Sequence, residues 1–563
     1  MKIMYSLVGN FPSRQYDLIE WHNHDEKQKK YKFPLSVLAY AKELRDKGEK
    51  YKIIFLVPHS IFKDVVNDLN QLKNVNKLKE VFEEDILNYY SNRLKSLIDE
   101  INKAKNKDKF TASTGKLISF LKKVDEIETN LLKNLEEFKE VEQIEELEEA
   151  KNDFTCEWEK IQKEVKNILN NKDKKLREII NSTNMEIEVI PSLGVYNSKV
   201  GKINYKISYS QRVLKLLLRF AKDILNHLED NTHFILDVST GLNALVVEAM
   251  EAYFNANLFS SIFFIGENPK HKFSIFSAEP VIGADNTVPK AYRLEEIKKE
   301  VSLQKPFNYS ESKNIINHIS KKIDINKAEL WENLKQSIFL FNVLFYNIPL
   351  CITLPAYDSI NLKLKSHKNV LDFTRNLTYL VEKKLYMKNS KNNEGVIFKL
   401  EPDLELKKVR DLLFMLMLGV NITKSFENSK LFQSSQKDLS LSDLRKFFDL
   451  YERYNLKINE VFLEKELDDK SELLDFLKEN EQLTLKEVNC RKKYRYINKK
   501  EDCKRKMGNC NRIRRFSNDD IRNFLAHCGF HDCSTYVCRK DDTLFFSLKE
   551  RLVGKIWDTV LCL

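Results

Sequence analysis

The sequence predicts an α/β fold in the first half of the chain and an all-α fold in the second half. Up to about residue 288, short apolar runs alternate with helix-period segments, which is typical of a Rossmann-like, doubly wound sheet of parallel strands. From residue 289 onward the strand signal fades and helix-period runs replace it. Because 563 residues are too many for one ordinary core, we expect at least two domains, residues 1–288 and 289–563.

The apolar pattern of the first half predicts individual elements. Helices are expected at Leu35–Leu44, Val213–Leu228 and Leu242–Phe254. The expected strands are Ile3–Val8, Lys52–Val57, Ile187–Ile190, Phe234–Val238, Ile262–Ile265 and Phe273–Phe276.

A long segment between the second and third predicted strands, at about residues 63–184, breaks the alternation. It is rich in charge, nearly free of Gly and Pro, and helical in period, which predicts a helical insertion. Its acidic faces are typical of solvated helix surface; a partner-binding face is the alternative.

Three runs predict helices in the second half: Ile338–Tyr346, Val409–Leu418 and Leu441–Tyr454. The stretch Ile338–Tyr357 is long enough to suggest a membrane helix, but two prolines and two asparagines lie inside it. This composition favours a buried helix followed by a turn. Since no signal-like segment is present at the N-terminus, we expect a cytoplasmic protein without membrane contact.

Seven of the nine cysteines lie in the last quarter of the chain, and their gaps match no Cys-x-x-Cys zinc pattern. Their positions are 490, 503, 510, 528, 533, 538 and 562. Three interpretations stay open: buried thiols, a disulfide of the kind found inside hyperthermophiles, or an irregular metal site.

A candidate anion site follows the strand that ends at Asp237. The chain there reads Asp-Val-Ser-Thr-Gly-Leu-Asn, an apolar strand that runs into a small polar turn and then a helix. Hydroxyls, a glycine and the free amides of a helix start favour a phosphate at the carboxyl edge of the sheet, although Ser and Thr also cap ordinary helices. A Gly-Asn pair after the first strand would reach the same edge. The candidate ligand-binding residues are Gly9, Asn10, Ser239, Thr240, Gly241 and Asn243.

A second candidate site lies near the C-terminus, where an arginine, an asparagine and a histidine share one predicted helix. Ser517 and Asp520 resemble a capping box and Gly529 is a plausible stop, so Arg522 to His527 should be helical. Imidazole can act as general acid or base, and guanidinium can hold a phosphorane without a metal. The predicted catalytic residues are therefore Arg522, Asn523 and His527.

Basic residues are in modest surplus, with 94 Lys and Arg against 83 Asp and Glu, and a net charge of +11. They cluster between Cys490 and Arg515, where tyrosines are interleaved with them. Cations for phosphates and aromatic rings for unstacked bases suit a single-stranded RNA track; a solvated loop is the alternative.

Both constellations resemble known families. The Asp-x-Ser-Thr-Gly-x-Asn turn and the Gly-Asn pair are similar to a CARF sensor domain, and Arg-Asn-x-x-x-His followed by Cys-Gly-Phe is similar to the motif of HEPN ribonucleases. The pair of domains resembles the accessory ribonucleases of type III CRISPR systems. The resemblance implies a CARF domain with a helical insertion and a C-terminal helical HEPN domain. It also implies a homodimer or higher oligomer that binds a cyclic oligoadenylate and then cleaves single-stranded RNA, with no cofactor and no metal.

Chemistry supports dimerisation independently, because one histidine per chain cannot easily serve as both general base and general acid. A two-fold axis beside the helix would bring a second His527 and Arg522 within reach. The main alternative is a CARF-type sensor that binds nucleic acid or a protein partner without cleaving. A dinucleotide-dependent enzyme is disfavoured because no Gly-x-Gly-x-x-Gly follows a strand.

Overall fold

The protein is described by a computed structural model. The described residues are 1–8, 19–21, 31–33, 36–64, 163, 167, 174, 184–198, 201–239, 243–278, 290–293, 297, 304–360, 362–392, 395–431, 437–494 and 518–563. Most of the predicted insertion at 63–184 lies outside these ranges, as do Gly9, Asn10, Thr240 and Gly241.

The first half is built on one large sheet. Its strands in the described residues are β1 (Lys2–Leu7), β2 (Ile19–Trp21), β3 (Tyr31–Phe33), β4 (Tyr51–Pro58), β5 (Asn184–Ile190), β8 (Thr232–Asp237), β9 (His271–Ala278) and β10 (Lys290–Arg293). They have the order β3-β2-β10-β9-β8-β1-β4-β5, in which β9, β8, β1, β4 and β5 run parallel. This parallel core confirms the predicted Rossmann-like class.

Three helices of the first half follow its strands: α1 (Ser36–Asp46), α2 (Tyr209–Asn226) and α3 (Asn243–Phe263). The prediction of a strand at Ile262–Ile265 was wrong, because α3 continues to Phe263 and a turn follows it. The helix α3 packs against α2, β1 and a long helix of the second half, so it is apolar on several sides. Its end therefore reads as an uninterrupted apolar run, which periodicity cannot distinguish from a buried strand.

The strand order places a topological switch point between β1 and β8. From β1 the chain moves to β4 and β5 on one side, then returns to β8 and β9 on the other. Ligands of open α/β sheets bind outside the carboxyl ends of strands at such a point. The ends of β1 and β8 lie side by side, with Ser6 in register with Asp237.

A second, smaller sheet was not predicted. It has the order β11-β12-β7-β6 and combines two hairpins: β6 (Gly194–Ser198) with β7 (Gly201–Tyr205), and β11 (Tyr386–Asn392) with β12 (Gly395–Glu401). Strand β7 pairs in parallel with β12, from the other half of the chain. The ring of Tyr205 stacks on Phe398, and its hydroxyl lies 2.7 Å from Nδ1 of His59, just after β4. This sheet thus joins the two halves.

The second half is mainly helical, as predicted. Its first four helices are α4 (Tyr309–Ser320), α5 (Lys327–Phe345), α6 (His367–Lys384) and α7 (Leu406–Asn428). The buried helix α7 packs against α5, α6 and α3, and Asn421 donates to the carbonyl of Phe263. The described helices that follow are α8 (Leu441–Arg445), α9 (Phe447–Arg453), α10 (Lys457–Ser471), α11 (Leu485–Tyr494), α12 (Asn518–Ala526) and α13 (Glu550–Cys562).

A third sheet, also not predicted, lies among these helices in the order β13-β16-β15-β14. Its strands are antiparallel and short: β13 (Asp438–Ser440), β14 (Gln482–Thr484), β15 (Thr535–Lys540) and β16 (Thr543–Leu548). Phe530, between α12 and β15, contacts Phe546 of β16 edge to face, so this sheet packs against the segment that follows the motif helix.

The stretch Ile338–Tyr357 forms the end of α5, a turn and a 3₁₀ helix at Pro349–Ala356, in agreement with the predicted helix and turn. None of the helices in the described part of the chain combines the length and hydropathy needed to cross a bilayer.

Candidate active site and ligand-binding edge

The motif helix α12 presents its polar residues to solvent and its apolar residues to the core. Arg522 and Asn523 are exposed, whereas Phe524 is fully buried. Within the described residues Arg522 forms no ion pair, so its guanidinium is available to an anion. The predicted cap at Ser517 lies outside the described residues.

The helix ends at Ala526, one residue before the predicted histidine. The amide of His527 still donates to the carbonyl of Asn523 at 3.1 Å, so these residues keep the predicted spacing of one helical turn. Cys528 and Gly529 then adopt positive φ values of 52° and 83°. The amide of Gly529 donates to the carbonyl of Phe524, which closes the helix as the glycine predicted.

The imidazole of His527 is anchored from beneath by a carboxylate that the sequence did not reveal. Nδ1 lies 2.8 Å from Oε1 of Glu466, which belongs to α10. The other carboxylate oxygen accepts from Nζ of Lys470 at 3.1 Å. The His527 side chain is 54% exposed, whereas that of Glu466 is 12% exposed. The imidazole is thus accessible to solvent, while its carboxylate partner is mostly buried.

The turn below His527 is fixed by a buried polar cluster. Nδ2 of Asn347 donates to the sulfur of Cys528 at 3.1 Å, and the hydroxyl of Tyr451 donates to Oδ1 of Asn347. Burial raises the pKa of the Cys528 thiol to about 12, so this thiol stays protonated and is not a nucleophile at neutral pH. The cluster has a structural role.

A second histidine near the motif is buried and contacts an aspartate of the motif helix. Nε2 of His531 lies 3.4 Å from Oδ1 of Asp520, which links the first turn of α12 to the residues before β15. Burial lowers the pKa of His531, although Asp520 opposes the shift. With 7% of its side chain exposed, His531 braces the helix and cannot meet a large substrate.

Only the first residues of the basic run are described. Both guanidinium nitrogens of Arg491 donate to Glu481, at 2.6 and 2.7 Å, and Lys492 pairs with Glu472. These two cations are therefore engaged with carboxylates on the protein. Residues 495–517, on which the choice between an RNA track and a solvated loop depends, lie outside the described residues.

The described cysteines include both free thiols and a disulfide-bonded residue. Among the described cysteines, Cys351, Cys528, Cys538 and Cys562 are free thiols. Cys533 is disulfide-bonded. Within the described part of the chain, no group of three or more His, Cys, Asp or Glu side chains could hold a metal ion.

At the carboxyl edge of the large sheet, four polar side chains converge on the switch point. Asp237 is 1% exposed and accepts hydrogen bonds from the hydroxyls of Ser6 at 3.0 Å, Ser36 at 2.8 Å and Ser239 at 2.6 Å. The Ser239 amide donates to the same carboxylate at 3.1 Å. Burial raises the pKa of Asp237, while these hydrogen bonds oppose the shift. The cluster joins the ends of β1 and β8 to the start of α1.

In this network the hydroxyl of Ser239, a predicted ligand-binding residue, is hydrogen-bonded within the protein. It donates to Asp237 and lies 3.0 Å from the Ser36 hydroxyl, so it fixes the chain just after β8. Asn243 is the first residue of α3, at the same edge. The remaining predicted ligand-binding residues lie outside the described ones, and ligand contact by any of the six stays a prediction. Sequence reasoning missed Ser6 and Ser36, which are 231 and 201 residues from Asp237 along the chain.

Comparison with protein families identifies both regions. The family model for the CARF domain of CRISPR system endoribonuclease Csx1 matches residues 142–280, which include β8 and the turn after it. The model for the HEPN domain of the same enzyme matches residues 456–550, which include α10 and the motif helix. A search of curated proteins gave no significant match. The chain therefore carries the two domains of a CARF–HEPN CRISPR-associated ribonuclease.

Proposed function

We propose that this protein is a single-stranded RNA endoribonuclease of type III CRISPR defence, switched on by a cyclic oligoadenylate and independent of metal ions. The observation that carries the proposal is the exposed His527, whose Nδ1 is anchored by Glu466 within a HEPN match. Arg522, on the same helix, is exposed and forms no ion pair with the described residues. We place its action in the cytoplasm.

The proposed chemistry uses the 2′-hydroxyl of the RNA as the nucleophile. One imidazole nitrogen takes the proton of this hydroxyl while the 2′-oxygen bonds to phosphorus. The bond from phosphorus to the 5′-oxygen then breaks, and a general acid protonates that oxygen. Arg522 stabilises the charge that develops on the phosphorane. The products are a 2′,3′-cyclic phosphate and a 5′-hydroxyl.

A second copy of the chain supplies the missing acid. Support comes from an apolar stripe on α10, the helix that holds Glu466. Ile458, Val461 and Phe462 follow helical spacing and are 72%, 64% and 55% exposed. Glu466 lies one turn beyond Phe462, so the stripe reaches the support of His527. A second copy docked on this stripe buries it and places two His527 side chains near one RNA strand.

The CARF half is proposed to bind the activator at the switch point. Support comes from the adjacent ends of β1 and β8 and from the turn that Asp237 holds in place. A ligand activates only if it binds the competent dimer more tightly than the idle one. The small sheet that joins β7 to β12 offers a physical connection between this edge and the second half.

The experiment is cleavage of labelled single-stranded RNA in EDTA, with and without cyclic tetra- and hexa-adenylate, by wild type and His527→Ala. We expect ligand-stimulated cleavage that the variant loses by roughly 10²-fold or more. A folded protein that binds the ligand but never cleaves supports instead a CARF-type sensor that binds nucleic acid or a protein partner.

Dimerisation is tested separately by Phe462→Asp, with Tyr386→Asp as the matched control, since Tyr386 is an aromatic residue that is 54% exposed on β11. The first variant should lower both the mass in solution and the cleavage rate, because it places a charge in the apolar stripe. The control lies outside the stripe and should change neither. An unchanged oligomer in Phe462→Asp would move the interface elsewhere.

A further inference from the structure

We infer that Glu466 is a positioning residue for His527, which holds the proton on Nδ1 and thereby leaves Nε2 as the base that meets RNA. The inference deepens the proposed ribonuclease function and rests on it. Glu466 touches no substrate in this scheme and acts only through the imidazole.

The geometry of the contact fixes the tautomer. A carboxylate can only accept hydrogen bonds, so the imidazole nitrogen 2.8 Å from Oε1 of Glu466 must be the donor. In the neutral ring the proton then resides on Nδ1, and Nε2 has the free lone pair. A general base needs this arrangement, because the nitrogen that takes a proton must be unprotonated beforehand.

The carboxylate itself is held in place. Glu466 is buried and flanked on α10 by the buried Leu463 and Leu467. Lys470, one turn further along, donates to Oε2. Each carboxylate oxygen therefore has one partner, so the carboxylate cannot rotate freely away from His527 without losing a hydrogen bond inside a mostly buried site.

Substitution by glutamine should reverse the tautomer. Lys470 donates only, so it retains the amide oxygen and leaves the amide NH₂ group facing Nδ1 of His527. That NH₂ group can only donate, which makes Nδ1 the acceptor and moves the imidazole proton to Nε2. The side-chain shape is preserved while the base is lost.

The alternative is that Glu466 only stabilises the packing of α10 through its ion pair with Lys470. That role predicts a lower unfolding temperature for any substitution at Glu466, with cleavage reduced only in proportion to the folded fraction. It predicts no change in the tautomer of a residue 61 positions away in the chain.

The test compares Glu466→Gln with Glu464→Gln, which makes the same substitution at an exposed position of the same helix. We expect kcat of Glu466→Gln to fall about 10- to 100-fold, with KM for RNA within about twofold of wild type, since orientation rather than binding is lost. Glu464→Gln should cleave as wild type does. Equal kcat in the two variants would overturn the inference.

The second readout is independent of cleavage. Nitrogen NMR of protein labelled with ¹⁵N at histidine, with the His527 signal assigned by its absence in His527→Ala, reports which nitrogen carries the proton at high pH. We expect Nδ1–H in wild type and Nε2–H in Glu466→Gln. Nε2–H in wild type would refute the positioning role. An inactive wild type with Nδ1–H would refute the ribonuclease proposal alone.

Discussion

Each of the two candidate sites contains a buried carboxylate, but the carboxylate has a different role in each site. At the sheet edge, the carboxylate of Asp237 is almost fully buried and accepts hydrogen bonds from three hydroxyls and one amide. At the motif helix, Glu466 accepts from one lysine and one exposed imidazole. The first site uses its carboxylate to fix the backbone, and the second uses it to orient a side chain that remains in solvent.

This difference predicts which property each substitution changes. Exposed groups at the motif helix contribute little to packing, so their loss should affect activity and leave stability unchanged. Buried groups at the sheet edge should affect stability first, and ligand response through it. Four predictions, in order of decreasing effect, apply the same distinction between exposed and buried groups at these sites and elsewhere in the molecule.

Arg522→Ala should give the largest effect. In the proposed mechanism Arg522 stabilises the phosphorane, so its removal is expected to lower kcat by about 10²- to 10³-fold. Arg522→Lys keeps the charge but loses the planar fork, so it should recover part of the rate. The measurement is single-turnover RNA cleavage with the activator present. A coincident fall in thermal unfolding temperature would break the contrast between the two sites.

Acidification should destabilise the first half through His271. This side chain is 6% exposed, and its Nδ1 lies 2.7 Å from the Ser260 hydroxyl while Nε2 donates to the carbonyl of His227. Burial lowers the pKa of His271 from 6.5 to about 4. The unfolded chain therefore binds a proton more readily, so stability is full above pH 6.5 and falls between pH 6.5 and 4, by about 3 kcal/mol.

The check is urea unfolding of wild type and His271→Asn at pH 7 and pH 4. The variant cannot titrate, so its loss of stability over this interval should be smaller than that of wild type by about 3 kcal/mol. Other groups also titrate in this range, so the difference between the two proteins is the diagnostic quantity. Equal losses would show that His271 is not the responsible group.

Asp237→Ala should destabilise the protein by about 2 kcal/mol, because it removes the acceptor of buried donors at the switch point. The activator response should weaken in the same variant, since the turn after β8 loses its support. Asp230→Ala is the matched control, as Asp230 precedes the same strand with a side chain that is 60% exposed. Normal stability in Asp237→Ala would mean that water replaces the carboxylate at no net cost.

The smallest effect concerns the end of the motif helix. Gly529 has a φ of +83°, and an added Cβ would meet no heavy atom nearer than 3.6 Å, so alanine there costs only backbone strain, about 1 kcal/mol. Gly554 lies inside α13 with open space around it, and alanine there should stabilise by a similar amount. Opposite shifts in the unfolding temperature of the two variants are expected.

The sequence predicted those parts of the molecule that local pattern determines. The parallel strands are short, continuous apolar runs, and the motif helix has a glycine at its end, so both were recognisable. Strand β11 reads Tyr-Met-Lys-Asn-Ser-Lys-Asn, which has no apolar alternation, and it forms because β12 pairs with it. Strands β13 and β14 have only three residues each, too few for periodicity to register.

Long-range contacts explain what was missed at the sites. Asp237 was visible at a strand end, but Ser6 and Ser36 reach it only through the order of strands in the sheet. Glu466 lies in a helix with many other acidic residues, and nothing in its spacing marks it as the partner of His527. A sequence motif can identify the candidate functional side chains. The side chains that position them come from distant parts of the chain, so they are identified only once the fold is known.

The shared sheet of β7 and β12 has a practical consequence for building chimeras. Residues 1–288, grafted onto another effector, would include β7 without its parallel neighbour, leaving Tyr205 without the ring of Phe398. A fusion point after Glu401 retains β12 and both hairpins. A transplanted sensor should therefore be cut about a hundred residues later than the boundary its composition suggests, in the short link before α7.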